Sequence, residues 1–408
     1  MRVYVSPCGL GLGHITRTVP IVEELHSRGV EVTFSTYLDG LEYAKARGYR
    51  LARTVPISFK VKADGTVDFK QTAATSGLSL GLRRFLKQVV AEIQNMKSFR
   101  PDIVFSDSRA SSILAARLLR IPVVLMLNQF RVEIVRRPSI GRLSLMDRLF
   151  FLIANIFWIF VRGLIGEVWA QSRLILIPDF PHPYTISIRN LAVPRRYMGK
   201  VKLVGPIVGF TPERLPSREE IAEELKLPLN RPIVYVAISG PRVERTHLRE
   251  SILSVLRAST LDMTFIISCG MPNGRTEPSR SSNLVEYEWI DDETQSKVLK
   301  ASDAVVCRSG HGMIVKALTF GKPLLLIPTP DHTEQYGNAE RAVELGAALM
   351  LEQRVLRTGL QRTLHAIVSS PTLRARAEEI GGAALRLNAI PAVADLLMGV
   401  AGDESGSE

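Results

Sequence analysis

Cysteine is scarce in this chain: 408 residues hold three, Cys8, Cys269 and Cys307. No two share a CxxC or metal-like spacing, which excludes a disulfide scaffold and a zinc site. The opening MRVYVSPCGLGLGH reads as a strand running into a glycine turn, not as a signal peptide. A reducing, cytoplasmic compartment is the expectation. The uncharged stretch 149–161 would extend about 20 Å as a helix, short of the roughly 30 Å of a bilayer core. Acidic residues are thin in one half only. Residues 1–205 carry 30 Lys and Arg against 14 Asp and Glu, a net of +16, whereas residues 206–408 carry 22 against 26, a net of −4. A solvated basic surface accounts for the sign. So lopsided a split points instead to an anionic partner of the N-terminal half, such as phospholipid or a lipid pyrophosphate. No interleaved basic–aromatic strand motif or zinc-finger spacing accompanies it, so no nucleic-acid partner is expected.

What is present is a globular composition, 46% hydrophobic, in a chain too long for one ordinary core. Strand patterns fall at 2–6, 31–36, 103–106, 123–127 and 174–177, with helical stretches at 16–28 and 111–119 between them. The pattern restarts at 233–238, 264–268, 283–287, 304–307 and 324–327. Strands alternating with helices mean βαβ units, and hence an α/β chain of two doubly wound domains with parallel sheets. Gly- and Pro-rich VGPIVGFTPERLPSREE separates the two series. A boundary at Gly205 gives an N-terminal domain 1–205 and a C-terminal domain 206–400, and AGDESGSE (401–408) reads as a disordered tail.

In open parallel sheets, ligands bind outside the carboxyl ends of strands, and the informative motifs follow strands. Gly9-Leu10-Gly11-Leu12-Gly13-His14 comes directly after the first. Gly11 and Gly13 allow close approach of backbone and ligand, and His14 suits a general base because imidazole titrates near neutrality. A tight turn with a capping histidine fits the same letters. Asp107 closes PDIVFSD, where a parallel sheet carries it to the rim of His14 as an orienting carboxylate; it also suits the N-cap of the next helix. In the second half, Trp289-Ile290-Asp291-Asp292 leads through a helix into SDAVVCRSGHG (302–312). Ser309-Gly310-His311-Gly312 between strand and helix either points backbone N–H groups at a diphosphate or is a plain glycine turn. Glu334 and Gln335 pair an acceptor with an amide, suited to sugar hydroxyls or to an exposed helix start.

With these residues in place, the stretch 283–346 resembles the donor-binding half of GT-B glycosyltransferases, most closely the lipid II-forming N-acetylglucosaminyltransferases of family 28. It is also similar to the UDP-glycosyltransferases. The pattern aromatic-Ile-Asp-Asp…Ala-Asp-x-Val-x-Cys-Arg-Ser-Gly is met at 289–310, with Ser302 for the Ala. Glu334, Gln335, Asn338 and Ala339 match the later Gln-rich loop. The glycine loop ending in His14 and the Val-Gly-Pro at 204–206 fit as well. The resemblance implies a GT-B fold, two Rossmann-like domains facing across a cleft. It implies that Ile290 offers its backbone to the base, and that Ser309, Gly310, His311 and Gly312 hold the phosphates. Glu334 and Gln335 would contact the donor sugar, and Ser239 and Gly240 would line the phosphate side. Arg242 either neutralises phosphate or lies solvated at a helix start. His14 takes the position of the base. Asp107 matches the partner carboxylate of UDP-glycosyltransferases, which the lipid II enzymes do not share. One position departs: Lys316 stands where the family carries a ribose-binding Glu, and a lysine donates hydrogen bonds but cannot accept them.

The stretch 143–169 is apolar and aromatic, with Arg148, Asn155 and Arg162 repeating every seven residues on one narrow face. It is either a core helix or a helix lying in a membrane surface, flanked by Arg131, Arg136, Arg137 and Arg142. The charge of this half favours the membrane. The expected activity is an inverting transfer from a nucleotide-diphosphate sugar, UDP-N-acetylglucosamine by resemblance, to a hydroxyl of a lipid-linked acceptor. The enzyme would sit peripherally at the inner face of the cell membrane. No cofactor is expected, and no metal, because no DxD-like pair sits at a plausible phosphate loop. A nucleotide-sugar 2-epimerase shares the architecture without needing a basic, apolar acceptor domain. A non-catalytic donor-binding subunit is the third reading, for which Lys316 argues.

Overall fold

The structure is a computed structural model that describes residues 1–57, 69–130, 163–240, 242–271, 274–330 and 332–405. The first half contains β1 (Arg2–Pro7), α1 (Gly13–Ser27), β2 (Glu31–Ser35), α2 (Leu38–Ala46), β3 (Leu51–Ala52) and α3 (Phe69–Phe99). After these come β4 (Ile103–Asp107), α4 (Ala110–Leu118), β5 (Val123–Met126), α5 (163–170), β6 (Leu174–Ile177), α6 (Ile188–Leu191) and β7 (Val201–Leu203). Their strands form one parallel sheet in the order β3-β2-β1-β4-β5-β6-β7. The central strands read as continuous apolar runs because helices cover both faces and leave no strand face to water.

The second half repeats the plan. It comprises α7 (Arg218–Glu224), β8 (Ile233–Ala237), α8 (Arg242–Arg257), β9 (Thr264–Ser268), β10 (Ser279–Ser281), β11 (Leu284–Tyr287), α9 (Asp292–Ala301) and β12 (Ala304–Cys307). Then follow α10 (His311–Thr319), β13 (Leu324–Leu326), α11 (Thr333–Glu344), β14 (Ala348–Met350), α12 (Leu356–Ser369), α13 (Pro371–Leu385) and α14 (Ala389–Ser405). The sheet order is β10-β11-β9-β8-β12-β13-β14, parallel except for the β10–β11 pair. The ten strands expected from the sequence are present within one or two residues at each end. The four not anticipated, β3, β7, β10 and β14, are two or three residues long, and all four lie at a sheet edge. Backbone pairing holds strands this short, and they leave no alternating apolar pattern to read.

The two halves are not self-contained in packing. Phe180 and Ile186 bury in the core that surrounds β8 and β12. In return, α14 crosses back: Val393, Ala394 and Leu397 are fully buried among Val19 and Val22 of α1 and the first sheet. Residues 371–402 are long and apolar enough to cross a membrane by length and composition, yet they fold as two helices that pack on α10 and on α1. The tail expected to be disordered from residue 401 is helical to Ser405. Helix propagation is cheap once the preceding turns are docked.

Both sheets reverse strand order at their centres, between β1 and β4 and between β8 and β12. Ligand crevices of doubly wound sheets open at such switch points. The register pairs Pro7 with Asp107 and Ala237 with Cys307. The loops that follow these strands carry the residues singled out in the sequence.

Candidate active site

In the N-terminal crevice, β1 leads into a glycine turn whose Gly11 sits at φ +71°, a conformation that favours glycine. Gly13 is the first residue of α1, three residues ahead of the expected helix start. His14 is therefore fixed on the first turn of a helix, with its side chain about a quarter exposed (24%). Its Nδ1 lies 2.8 Å from Asp107 Oδ1, at the end of fully buried β4. Asp107 is not a helix cap: Arg109 occupies the N-cap of α4 and makes no side-chain cap bond.

A residue the sequence reading passed over completes the group. Arg17, one helical turn after His14 and buried, donates Nε to Asp107 Oδ2 at 2.5 Å and Nη2 to Oδ1. Burial alone would raise the Asp107 carboxyl, but Arg17 and then His14 outweigh it and hold the group well below the usual carboxylate range. An ionised Asp107 can only accept, so Nδ1 of His14 carries the proton toward it and Nε2 is the basic nitrogen. The spacing was legible in principle, because positions i and i+3 share a helix face.

In the C-terminal crevice, Ser239 and Gly240 follow β8. Gly240 has φ +113°, and a Cβ there would come within 3.0 Å of Glu244 Oε2. Arg242 opens α8, and its side chain lies outside the described residues. Beside this loop, β12 is followed by Arg308-Ser309-Gly310. Gly310 is the N-cap of α10 and supplies no side-chain cap, so the first N–H groups of the helix point out of the loop without one. The Ser309 hydroxyl is buried, with no partner among the described residues. Under the loop, Arg308 Nε lies 3.0 Å from Glu244 Oε1, and Nη1 donates to the Ile327 carbonyl at 3.0 Å. Thr329 Oγ1 also donates to Glu244.

The side chain of His311 has a role of its own. Its ring is buried, with Nε2 2.9 Å from Asp179 Oδ2. Asp179 comes from the first half, after β6, and also accepts from the N–H groups of Phe180, Ile186 and Ser187. Burial pushes the Asp179 carboxyl up, but His311 and Ser187 more than offset this and hold it low. The imidazole thus pins the two halves together. What position 311 leaves for a phosphate is its backbone, beside that of Gly312.

Ile290 is buried after β11, and its own N–H and C=O pair with no other backbone group among the described residues. Asp291 caps α9 by accepting from Thr294 N at 2.8 Å. Lys316, on α10, donates to Gln295 Oε1 at 2.7 Å. Burial pulls its ammonium down, while Asp292 and Asp291 nearby hold it up. Asp292 in turn receives Arg47 Nη2 at 2.8 Å and the Tyr43 hydroxyl from α2. Position 316 therefore presents a part-buried lysine bonded to an amide, with the charges of Asp292 and Asp291 acting on it, where the resemblance implied an acceptor.

Glu334 and Gln335 lie half-buried at the start of α11, not on an open face. Glu334 Oε1 accepts from Asn128 Nδ2 at 2.8 Å, across the cleft. Gln335 Oε1 accepts from Thr329 N at 2.8 Å, so its carbonyl supports the loop after β13. Asn338 donates to the Ser309 carbonyl at 3.1 Å and accepts from Asn190 at 2.8 Å. The residues singled out in the sequence lie at or just after the ends of β1, β4, β8, β11, β12 and β13. Sequence reasoning missed Arg17, Asn128, Asp179 and Asn190, whose partners are more than eighty residues away in sequence or in the opposite half.

The comparisons bear on the family and the fold. Residues 244–388 match the family model described as glycosyltransferase family 28 C-terminal domain. Residues 1–144 match the one described as glycosyl transferase family 1. An uncharacterized glycosyltransferase of Methanosarcina acetivorans is 27% identical over 390 residues, 93% of each chain. The UDP-N-acetylglucosamine–N-acetylmuramyl-(pentapeptide) pyrophosphoryl-undecaprenol N-acetylglucosamine transferase of Shouchella clausii is 23% identical over 87% of this chain and 88% of its own. The solved spinosyn rhamnosyltransferase SpnG, complexed with thymidine diphosphate, superposes with a TM-score of 0.64 at 17% identity, covering 98% of this chain and all of the other.

Proposed function

We propose that this chain, a GT-B glycosyltransferase related to family 28, transfers its sugar with inversion, His14 acting as the base. The carrying observation is the His14–Asp107 bond of 2.8 Å, with Arg17 behind it. His14 Nε2 would take the proton of the acceptor hydroxyl as that oxygen bonds to the anomeric carbon. The bond from that carbon to the diphosphate oxygen breaks, and the nucleoside diphosphate leaves with the electron pair. The unpaired N–H groups at the start of α10 and the Ser309 hydroxyl would receive its charge. The donor is a nucleotide-diphosphate sugar, with Glu334 at the sugar. The relative that acts on UDP-N-acetylglucosamine makes this the first donor to test.

The acceptor is lipid-linked in this reading, and the enzyme works peripherally at the cytoplasmic membrane face. What supports it is the net charge of +16 in residues 1–205 and an exposed apolar row on α3, Leu82, Leu86 and Val90, beside Arg83 and Lys87. The apolar run 149–161 and the arginines before it lie outside the described residues.

Incubation with UDP-N-acetylglucosamine and an undecaprenyl-pyrophosphoryl acceptor, with NMR of the product, tests the chemistry. A β linkage from the α donor is expected; an α linkage or a 2-epimerised nucleotide sugar refutes it. Sedimentation with anionic vesicles tests the location. Binding only partly reversed by high salt is expected, because salt screens charge and leaves buried apolar area intact. Phe157→Ser with Trp158→Ser should remove the salt-resistant fraction, and a wild-type protein that ignores such vesicles removes the membrane from the reading.

A further inference from the structure

From the base, a line of buried polar side chains crosses the cleft. Arg17 bonds Asp107 through Nε and Nη2, and its remaining Nη1 donates to Asn128 Oδ1 at 3.2 Å. Asn128 follows β5 and is 5% exposed. Its Nδ2 donates to Glu334 Oε1 at 2.8 Å, on the opposite half. The amide orientation follows from its partners: a guanidinium can only donate and a carboxylate only accept. Both ends of Asn128 are therefore used, with little water to compete. Two side chains, Arg17 and Asn128, thus separate His14 and its carboxylate from the residue assigned to the donor sugar.

We infer that Arg17 and Asn128 are positioning residues that couple the base to the donor sugar. This rests on the transferase reading above. Glu334 Oε2 has no partner among the described residues and is the oxygen left for a sugar hydroxyl. When Glu334 engages the sugar, its other oxygen fixes Asn128, Asn128 fixes the guanidinium fork, and the fork holds Asp107 in line with His14 Nδ1. Without that hold the carboxylate can turn and the ring loses its aim. The base is then held in line while Asn128 spans the two halves.

Reversing the polarity of the cross-cleft bond tests this. Asn128→Asp keeps an acceptor for Arg17 but sets a carboxylate against Glu334. We expect kcat for acceptor-free hydrolysis of UDP-N-acetylglucosamine, or of whichever UDP-, dTDP- or GDP-sugar the wild type cleaves fastest, to fall at least about tenfold. Affinity for the bare nucleoside diphosphate should stay within about twofold. Adding Glu334→Gln supplies an amide donor to the new carboxylate, and the double variant should recover to within about threefold of Glu334→Gln alone. Multiplying losses, an unchanged kcat in Asn128→Asp, or an equal loss of nucleotide affinity overturns the inference. The same cycle read as Tm needs no substrate: Asn128→Asp lowers it and Glu334→Gln restores it, and a failure to restore also overturns the coupling. A wild-type protein that cleaves no nucleotide sugar, with the Tm cycle intact, refutes the transferase chemistry rather than the contact.

Discussion

Asp107→Asn separates the chemistry of the N-terminal crevice from its stability. Asp107 is fully buried and carries the only carboxylate bonded to Arg17 among the described residues, and the Arg17 side chain is 9% exposed. Asparagine has the same shape but leaves that guanidinium buried without a counter-charge. Removing one partner of a buried ion pair costs about 3–5 kcal/mol. For a half of roughly 200 residues, that lowers Tm by about 6–20 °C. The amide can also offer an N–H to His14 Nδ1, which moves the ring proton to Nε2 and removes the base. Loss of the carboxylate behind a catalytic histidine can reduce turnover by as much as about 10⁴-fold. Combining Asp107→Asn with Arg17→Met removes both charges. Scanning calorimetry should then show Tm recovering most of the loss, because neither charge remains unpaired, while the assay of nucleoside diphosphate release stays at the floor. A single variant with near-wild-type turnover, or a double variant no more stable than the single, refutes the reasoning. The pH dependence has a definite sign. A carboxylate held low in the folded state contributes stability above its unfolded value of about 4, and loses it as pH falls toward the lower folded value. Below about pH 4 the wild type should therefore lose Tm more steeply than the double variant does.

His14→Ala should abolish transfer while leaving affinity for the nucleotide sugar, measured by calorimetry, within about threefold, because the base acts on the acceptor. Glu334→Ala should weaken binding of UDP-N-acetylglucosamine by about tenfold or more and of bare UDP hardly at all; equal losses would assign Glu334 to the contact between halves. Lys316→Glu, the change that brings position 316 to the family pattern, should lower Tm and fail to raise UDP affinity. Its carboxylate would add a like charge to Asp291 and Asp292, whose charges hold the lysine's ammonium up. A tighter UDP complex at unchanged Tm would show that the residues around position 316 are free to rearrange.

Strand identity was legible because buried parallel strands are continuous apolar runs, and each of the ten such runs became a strand. The glycine turn after β1 was legible because Gly11 takes a positive φ that favours glycine and Gly9 packs on the Tyr37 backbone, and His14 because it closes that turn. Lys316 was legible as a departure, though not its tie to Gln295. Other features had no local signature. A buried ion pair such as Arg308–Glu244 joins residues sixty-four apart, and nothing in either neighbourhood marks one for the other. His311 read as a phosphate ligand because its motif is a loop motif, and only the arrival of Asp179 from the first half turned its ring inward. The sequence by itself determined two doubly wound halves, the strand ends that carry their loops, and a histidine at the close of the first glycine turn. The tertiary structure decided which side chains those loops spend on one another. It closed Arg17 over Asp107 within the first half, and carried Asn128 to Glu334 and α14 to α1 between the halves, because each contact joins surfaces that meet only after the strands have paired and the halves have packed.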